Sequence, residues 1–262
     1  MSKAQIKVQG NHFLEEVDVV NNHIIRNGKS YKVSQLKLDV PIFGTVYGTL
    51  LNYKGSLQLM KEQMNMPPYH VPPKAPILYI KPKNTYAAFS EPIPLPGDCP
   101  QLEIGASLGI VIGKTATKVS EKNAHEFIKG YTILNDISVP HKSVYRPSIR
   151  FKVRDKFCAI GPWIISADSI SEPNKLAIRV YINDELVQNN TTSNLVRSIP
   201  KLLQDVTDFM TLFPGDVLMI GVPENAALAT EGDKIKIVIE GIGFLENAIV
   251  SEENLELEEE IK

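Results

Sequence analysis

The residues most able to do chemistry lie in Tyr131–Pro162, YTILNDISVPHKSVYRPSIRFKVRDKFCAIGP. An apolar strand candidate runs into Asn135-Asp136, and a cationic stretch follows with His141, Arg146, Arg150, Lys152, Arg154, Asp155 and Lys156. A strand end fixes a carboxylate, and Arg and Lys supply charge-assisted hydrogen bonds to an anionic small molecule. On charge alone the same stretch reads equally well as a solvated basic loop. The loop NNTTSN (189–194) adds two threonine hydroxyls. No G-x-S-x-G appears and no histidine sits in a nucleophile context, so a Ser-His-Asp hydrolase is unsupported. Histidines and cysteines are too scattered for zinc. A hard-cation site around Asp136 lacks local carboxylate partners. What remains is a cationic, hydroxyl-lined pocket for a carboxylate ligand.

The elements that must position these residues are mostly strands. Asn27-Gly28 between two apolar-alternating runs signals a hairpin, because both turn positions tolerate positive φ. Residues 1–44 are expected to form a small β unit, 45–250 the main domain, and 251–262, rich in glutamate, an acidic tail. TVYGTLLNY (45–53) begins a more apolar strand. Leu57, Met60 and Met64 fall at helical spacing and are expected to face the core. Prolines crowd residues 67–100 and forbid helix there. LEIGASLGIVIGK (102–114) reads as one strand whose glycines mark a bulge or a close approach; their spacing is no dinucleotide fingerprint. Ser120 is expected to cap a helix over 121–129. Ser198 is expected to cap another whose stripe is Leu202, Leu203, Val206, Phe209 and Met210. Asn183-Asp184 reads as a turn between paired strands, and 234–250 as a single strand. Many short strands with two or three helices specify a strand-dominated mixed α/β fold rather than a doubly wound parallel sheet.

Bulk properties narrow the partners. The 262 residues are 43% hydrophobic and 22% charged, enough for a substantial core. A net charge of −2 gives no support to a nucleic-acid or membrane-surface partner. Cys99 and Cys158 form no disulfide framework, MSKAQIKVQG has no apolar signal core, and no stretch approaches a membrane span. A cytoplasmic protein is expected.

The order of landmarks resembles the fumarylacetoacetate hydrolase superfamily over about residues 45–250. The matching pieces are IKPKNT (80–85), EPIPLPG (91–97), GIVIGKTATKVSEKNAHEFIKGYTILNDIS (109–138), KVRDKFCAIGPW (152–163), NNTTSN, FMTLFPGDVLMIG (209–221) and IEGIGFLENAIV (239–250). ASLGIVIGKTATKV with the 135–158 segment resembles one branch in particular. That branch is the N-terminal half or subunit of the 4-hydroxyphenylacetate-degradation isomerase/decarboxylases. The resemblance implies a predominantly β fold that dimerises, and isomerase or decarboxylase (C–C lyase) chemistry. It further implies 2-hydroxy-diene or 2-oxo-ene di- and tricarboxylate substrates of aromatic-acid catabolism, and Mg²⁺.

Carried over residue by residue, the family's metal aspartate is Asp136, while its Glu-x-Glu pair falls at Gly105 and Ser107. Glu103 keeps the strand parity one pleat further away, roughly 7 Å from position 105. Ser56 and Leu59 stand where a catalytic histidine and glutamate would follow Asn52-Tyr53. Lys152 matches the family lysine with Asp155 after it, Thr191 or Thr192 offers the loop hydroxyl, and Gly-Thr-Pro is Gly221-Val222-Pro223. The resemblance therefore implies Asp136 and Lys152 as catalytic residues, with Asp136 as base or residual metal ligand. Substrate binding is expected from Arg146 and Arg150 of the cationic stretch together with Asp155 and Thr192, and the departure at Gly105 and Ser107 leads to an expectation of weak Mg²⁺ binding. Restoring Gly105→Glu and Ser107→Glu would then place two carboxylates facing Asp136. The alternative is a metal-deficient subunit that pairs with a metal-competent paralogue. The expected assembly is a homodimer or such a hetero-oligomer.

Overall fold

Alternation builds the outer strands. In Ser2–Val8 the buried side chains are Ala4 and Ile6, and in Glu15–Val20 they are Val17 and Val19, so one face of each strand meets the core. The computed structural model describes residues 1–67, 70–141 and 149–255. Within them the strands form one large sheet. From one edge its order is Lys29–Lys32, His23–Arg26, Glu15–Val20, Ser2–Val8, Cys158–Ser166, Ile128–Asp136, Ala106–Ile112, Val217–Met219, Val46–Leu50 and Ile77–Lys81. A second sheet runs Glu185–Thr191, Ala177–Ile182, Lys234–Ile239, Gly243–Ser251 and Ile93–Leu95. Leu102–Ile104 pairs separately with Ala227–Ala229. The strand-dominated mixed α/β class is as expected. The strands of residues 1–44 share the main sheet, since Ser2–Val8 pairs antiparallel with Cys158–Ser166.

The three central strands read as unbroken apolar runs because both of their faces are covered. Ile110, Ile112, Ile133, Ala159 and Trp163 enter the main core. Val111, Leu134, Cys158 and Ile160 enter a smaller cluster on the opposite face, together with Val217, Met219 and Tyr79. Asp136 has the strand parity of Leu134, so it ends its strand on the Tyr79 side.

Turn chemistry follows the sequence closely. Asn27-Gly28 and Asn183-Asp184 all adopt positive φ between paired strands. Ser198 caps the helix Ile199–Thr207, its Oγ accepting from the Lys201 amide, with Leu202, Leu203 and Val206 buried. Several expectations need correction. Phe209 lies beyond that helix and is exposed. Residues 121–127 form a 3-10 helix without a side-chain cap, and Ile128 already begins a strand, because the strand's pairing with Ala106–Ile112 claims its backbone. Of Leu57, Met60 and Met64 on the helix Lys54–Met64, only Met64 is buried. The stretch 102–114 breaks at Gly105, and 234–250 folds as a hairpin through Gly241 and Gly243, both at positive φ. Residues 256–262 of the acidic tail lie outside the described residues. Among those described, no helix is long and apolar enough to cross a membrane.

Candidate active site

Tyr79 and Lys81 are i and i+2 on the strand Ile77–Lys81, so both side chains leave the same face, and both are buried. Gly48 pairs with Tyr79 across the sheet, and a methyl at Gly48 would overlap the Tyr79 ring. Glycine there lets the ring lie flat over the neighbouring strand. The ring brings its hydroxyl onto Asp136 Oδ2, to which it donates a short hydrogen bond. Lys152 lies at the end of the short helix Ile149–Lys152 and reaches the same oxygen, Nζ to Oδ2 at 3.1 Å. Its ammonium also stands 5.1 Å from the Tyr79 ring centroid, a cation–π distance.

Lys81 Nζ is 2.8 Å from Asp136 Oδ1. Its hydrogen bonds run instead to the carbonyls of Ile137 at 3.1 Å and Lys152 at 2.5 Å, leaving Oδ1 ion-paired without an aligned hydrogen bond. The side chains of Lys81 and Asp136 are 0% exposed and that of Lys152 is 12% exposed, so this is a buried charge cluster with one ammonium near its surface. Burial alone would raise the Asp136 carboxyl. The charges of Lys152 and Lys81, helped by the Tyr79 hydrogen bond, outweigh it and hold the group well below the usual carboxylate range. Tyr79 moves far upward through burial and the Asp136 charge, and burial pushes the Cys158 thiol up to about 12. Both stay protonated at neutral pH.

The cluster opens into a cleft of about 250 Å³. Tyr79, Asp136 and Lys152 line it together with Glu103, Ser138, His141, the helix residues Ser56 and Met60, and the segment 222–226. Glu103 accepts from Ser138 Oγ at 3.1 Å, and His141 stacks on Phe151 with centroids 5.2 Å apart. Asn52 stands behind this wall as a clamp: its side chain bonds the Arg197 amide at 3.0 Å and the Ile220 carbonyl at 2.9 Å.

The structure thus joins Asp136 and Lys152, with Glu103 lining the same cleft, and separates Arg150, Asp155 and Thr192 from them. Arg150 is exposed and pairs with Asp98 at 3.3 Å. Asp155 is exposed and accepts from Asn84 at 2.7 Å. Thr192 is buried outside the cleft lining, with Oγ1 accepting from the Leu176 amide at 2.8 Å and donating to the Pro173 carbonyl at 2.9 Å. Its hydroxyl is spent on joining two chain segments, so the expected substrate contact is corrected to a structural one. Arg146 lies outside the described residues. Positions 105 and 107 do share a face with Asp136. Ser107 Oγ, however, donates to the Gly221 carbonyl at 2.8 Å, and a side chain at Gly105 would overlap the Asp136 carbonyl. The expectation that glutamates at both positions would simply face Asp136 therefore fails at Gly105. Among the described residues, no three His, Cys, Asp or Glu side chains cluster as metal ligands. Sequence reasoning missed Tyr79 and Lys81 as site residues; the available signal was two polar-tipped residues at i, i+2 in an otherwise apolar strand.

The comparisons with known proteins agree with this architecture. A 4-hydroxyphenylacetate degradation bifunctional isomerase/decarboxylase from Escherichia coli is 38% identical over 209 residues, covering 80% of this chain and 48% of that protein. The chain spans about half the length of the curated relatives it matches first. The solved 5-carboxymethyl-2-hydroxymuconate delta-isomerase from Mycobacterium smegmatis superposes with a TM-score of 0.76 at 29% identity, covering 96% of this chain and 99% of that one. A maleylpyruvate hydrolase from Sphingobium sp. SYK-6, solved with manganese(II) and pyruvate, shares the fold at 23% identity and a TM-score of 0.76 over 95% and 99% of the two chains. The pattern described as fumarylacetoacetate (FAA) hydrolase C-terminal matches residues 45–250, and the chain belongs to the fumarylacetoacetate hydrolase family.

Proposed function

We propose that this chain is an isomerase or isomerase/decarboxylase for 2-hydroxy-diene or 2-oxo-ene di- and tricarboxylates of aromatic-acid catabolism. The observation that carries the reading is the Lys152 ammonium, fixed on buried Asp136 at the wall of the cleft. Named relatives that isomerise or decarboxylate such acids support the substrate class. When a proton leaves the carbon next to a 2-oxo group, negative charge grows on the oxo oxygen. A preorganised ammonium in a shielded cleft stabilises that charge without reorganising at the moment of reaction. Asp136 serves here as a fixed counter-ion: a carboxylate held this far below its usual range is a poor proton acceptor. Its work is to keep Lys152 and Tyr79 in place.

A divalent cation fits these residues poorly. Mg²⁺ wants near-octahedral oxygen coordination from carboxylates and water. Gly105 brings no donor, the Ser107 hydroxyl is engaged by Gly221, and Asp136 faces two ammonium groups and a tyrosine hydroxyl. Two ammoniums beside one carboxylate repel a further cation. The alternative of a metal-deficient partner subunit draws no support from the named relatives, which are enzymes.

The test is direct. The purified chain, incubated with a 2-hydroxy-diene dicarboxylate, is expected to discharge the diene absorbance to the 2-oxo tautomer at the same rate with and without chelator. Carbon dioxide release, followed in parallel with a tricarboxylate, separates isomerase from decarboxylase. Absence of both turnover and binding of 2-oxo dicarboxylates overturns the reading.

A further inference from the structure

Besides Asp136 and Glu103, the cleft holds a third carboxylate, whose surroundings are the reverse of those of Asp136. Glu224 belongs to the segment that joins Val217–Met219 to Ala227–Ala229, and it lines the cleft. Its Oε1 accepts from Asn190 Nδ2 at 3.1 Å. Its Oε2 is buried with no hydrogen-bond partner, and among the described residues no Lys, Arg or His pairs with Glu224. Two neutral hydroxyls share this condition: Tyr53, fully buried, and Thr49, which lines the same cleft, are both without hydrogen-bond partners. Burial, and then the Glu224 charge, push the Tyr53 hydroxyl upward, which keeps it protonated beside the carboxylate.

The position is built rather than accidental. Gln188 Nε2 donates to the carbonyls of Glu224 at 2.7 Å and Asn225 at 3.1 Å, which fixes the segment. Gly55, in the first turn of the helix Lys54–Met64, leaves the room, since a methyl there would overlap the Glu224 carboxyl. That helix presents Ser56 and Leu59 to the cleft, neither of which can exchange a proton near neutral pH. A buried carboxylate oxygen without a partner costs stability. Asp136 is tied to two cations, Glu103 accepts from Ser138 Oγ and His141 Nδ1 is engaged by the Val139 carbonyl; among the described residues this leaves Glu224 as the cleft carboxylate with a buried oxygen that has neither a hydrogen bond nor a cation.

We infer that Glu224 is the proton carrier of this cleft, an inference that rests on the isomerase reading above. Its carboxylate removes a proton from the carbon adjacent to the 2-oxo carbon. The C–H electron pair becomes a carbon–carbon double bond, and the carbonyl pair moves onto the oxygen beside Lys152. The protonated Glu224 returns the proton to a carbon or to the oxygen of the resulting enolate, so the change is a tautomerisation that consumes nothing.

The probe is 2-oxoadipate in D₂O, with loss of the C3 proton signal followed by NMR and binding followed by calorimetry. The unaltered chain is expected to accelerate C3 exchange. Glu224→Gln, which keeps the acceptor for Asn190, is expected to lower that exchange about 100-fold or more, within the range for removing a general base. Its affinity for 2-oxoadipate is expected to stay within about threefold, a difference well under one decade of Kd. Exchange at the unaltered rate in folded Glu224→Gln overturns the inference while leaving the isomerase reading intact. A loss of affinity as large as the loss of exchange overturns it too, since Glu224 would then only shape the pocket. Failure of the unaltered chain to bind or exchange 2-oxoadipate overturns the isomerase reading and this inference with it. Should the Gln variant not fold, Glu224→Ala with added formate replaces it: restored exchange supports the proton-carrier role, and no restoration in the folded variant overturns it.

Discussion

Asp136 carries its charge where a lone carboxylate would be forced to take up a proton. Two lysines and a tyrosine hydroxyl reverse that outcome, and the lowered carboxyl has a consequence for stability. A group whose folded-state value is depressed contributes stability above its unfolded value, about 4 for an aspartate, and loses it as pH falls toward the lower folded value. Asp136→Asn would leave two ammoniums beside a neutral group, a loss of about 3–5 kcal/mol in the range for a broken buried ion pair. Urea unfolding is expected to show this gap in full at pH 7 and to show it narrowing as the pH is lowered below about 4, where the unfolded chain takes up a proton at Asp136 while the folded chain still holds the charge. An unchanging gap across that window would remove Asp136 as the cause. Lys152 is different, because its ammonium is the edge of the cluster that meets the cleft. Lys152→Ala should weaken a 2-oxo dicarboxylate by about 1.5–3 kcal/mol, the range for a charged hydrogen bond, as read by calorimetry. Lys81 still faces Asp136 in that variant, so the fold should persist.

At the scale of the element, strand register does the positioning. The pairing Gly48↔Tyr79 places the one residue without a side chain beneath the one ring that must reach Asp136. Gly48→Ala is expected to cost about 1–3 kcal/mol through overpacking. Because the ring would move, the Tyr79 hydroxyl should lose its hydrogen bond to Asp136, visible as a tyrosine titration shifted back toward its ordinary value. A variant with unchanged stability and tyrosine titration would show that the ring has room to spare. The break at Gly105 belongs to the same scale. Asp136 N donates to the Gly105 carbonyl at 2.8 Å, so the backbone, rather than a side chain, of position 105 meets the aspartate.

For the molecule as a whole, the two faces of the central strands have different duties. One packs the main core, and the other holds the smaller apolar cluster from which Tyr79 reaches the charged site. Placing the ion cluster at the edge of that second cluster shields it from water and strengthens every charge interaction within it. In the metal-free reading proposed above, the two ammoniums at Asp136 disfavour a divalent ion there. Calorimetric titration with Mg²⁺ is expected to show only weak binding, and the Gly105→Glu, Ser107→Glu double variant is expected to lose stability rather than gain a metal site. One tight site per chain in the unaltered protein would overturn this, as would a stable, Mg²⁺-binding double variant.

Much of this molecule could be read from its residues. Strand content follows from two-residue alternation and apolar runs, and the hairpins follow from Asn27-Gly28 and Asn183-Asp184, because these signals are local. The capped helix after Ser198 is local as well. The Asn135-Asp136 strand end and Lys152 were also legible, since a carboxylate between an apolar run and a basic stretch stands out in one dimension. What could not be read was which charges meet. Lys81 and Tyr79 are more than fifty positions from Asp136, and only sheet pairing across several strands brings them together. Arg150 and Thr192 looked equally suited to a ligand, yet tertiary packing sends one to Asp98 and spends the other on two backbone groups. Glu224 lies in a segment with no chemical signature at all. Its placement, with no cationic partner among the described residues, depends on Gly55, Gln188 and Asn190 arriving from other elements. Local backbone preference travels with the sequence, whereas desolvation and charge pairing are properties of neighbours that only the folded chain supplies.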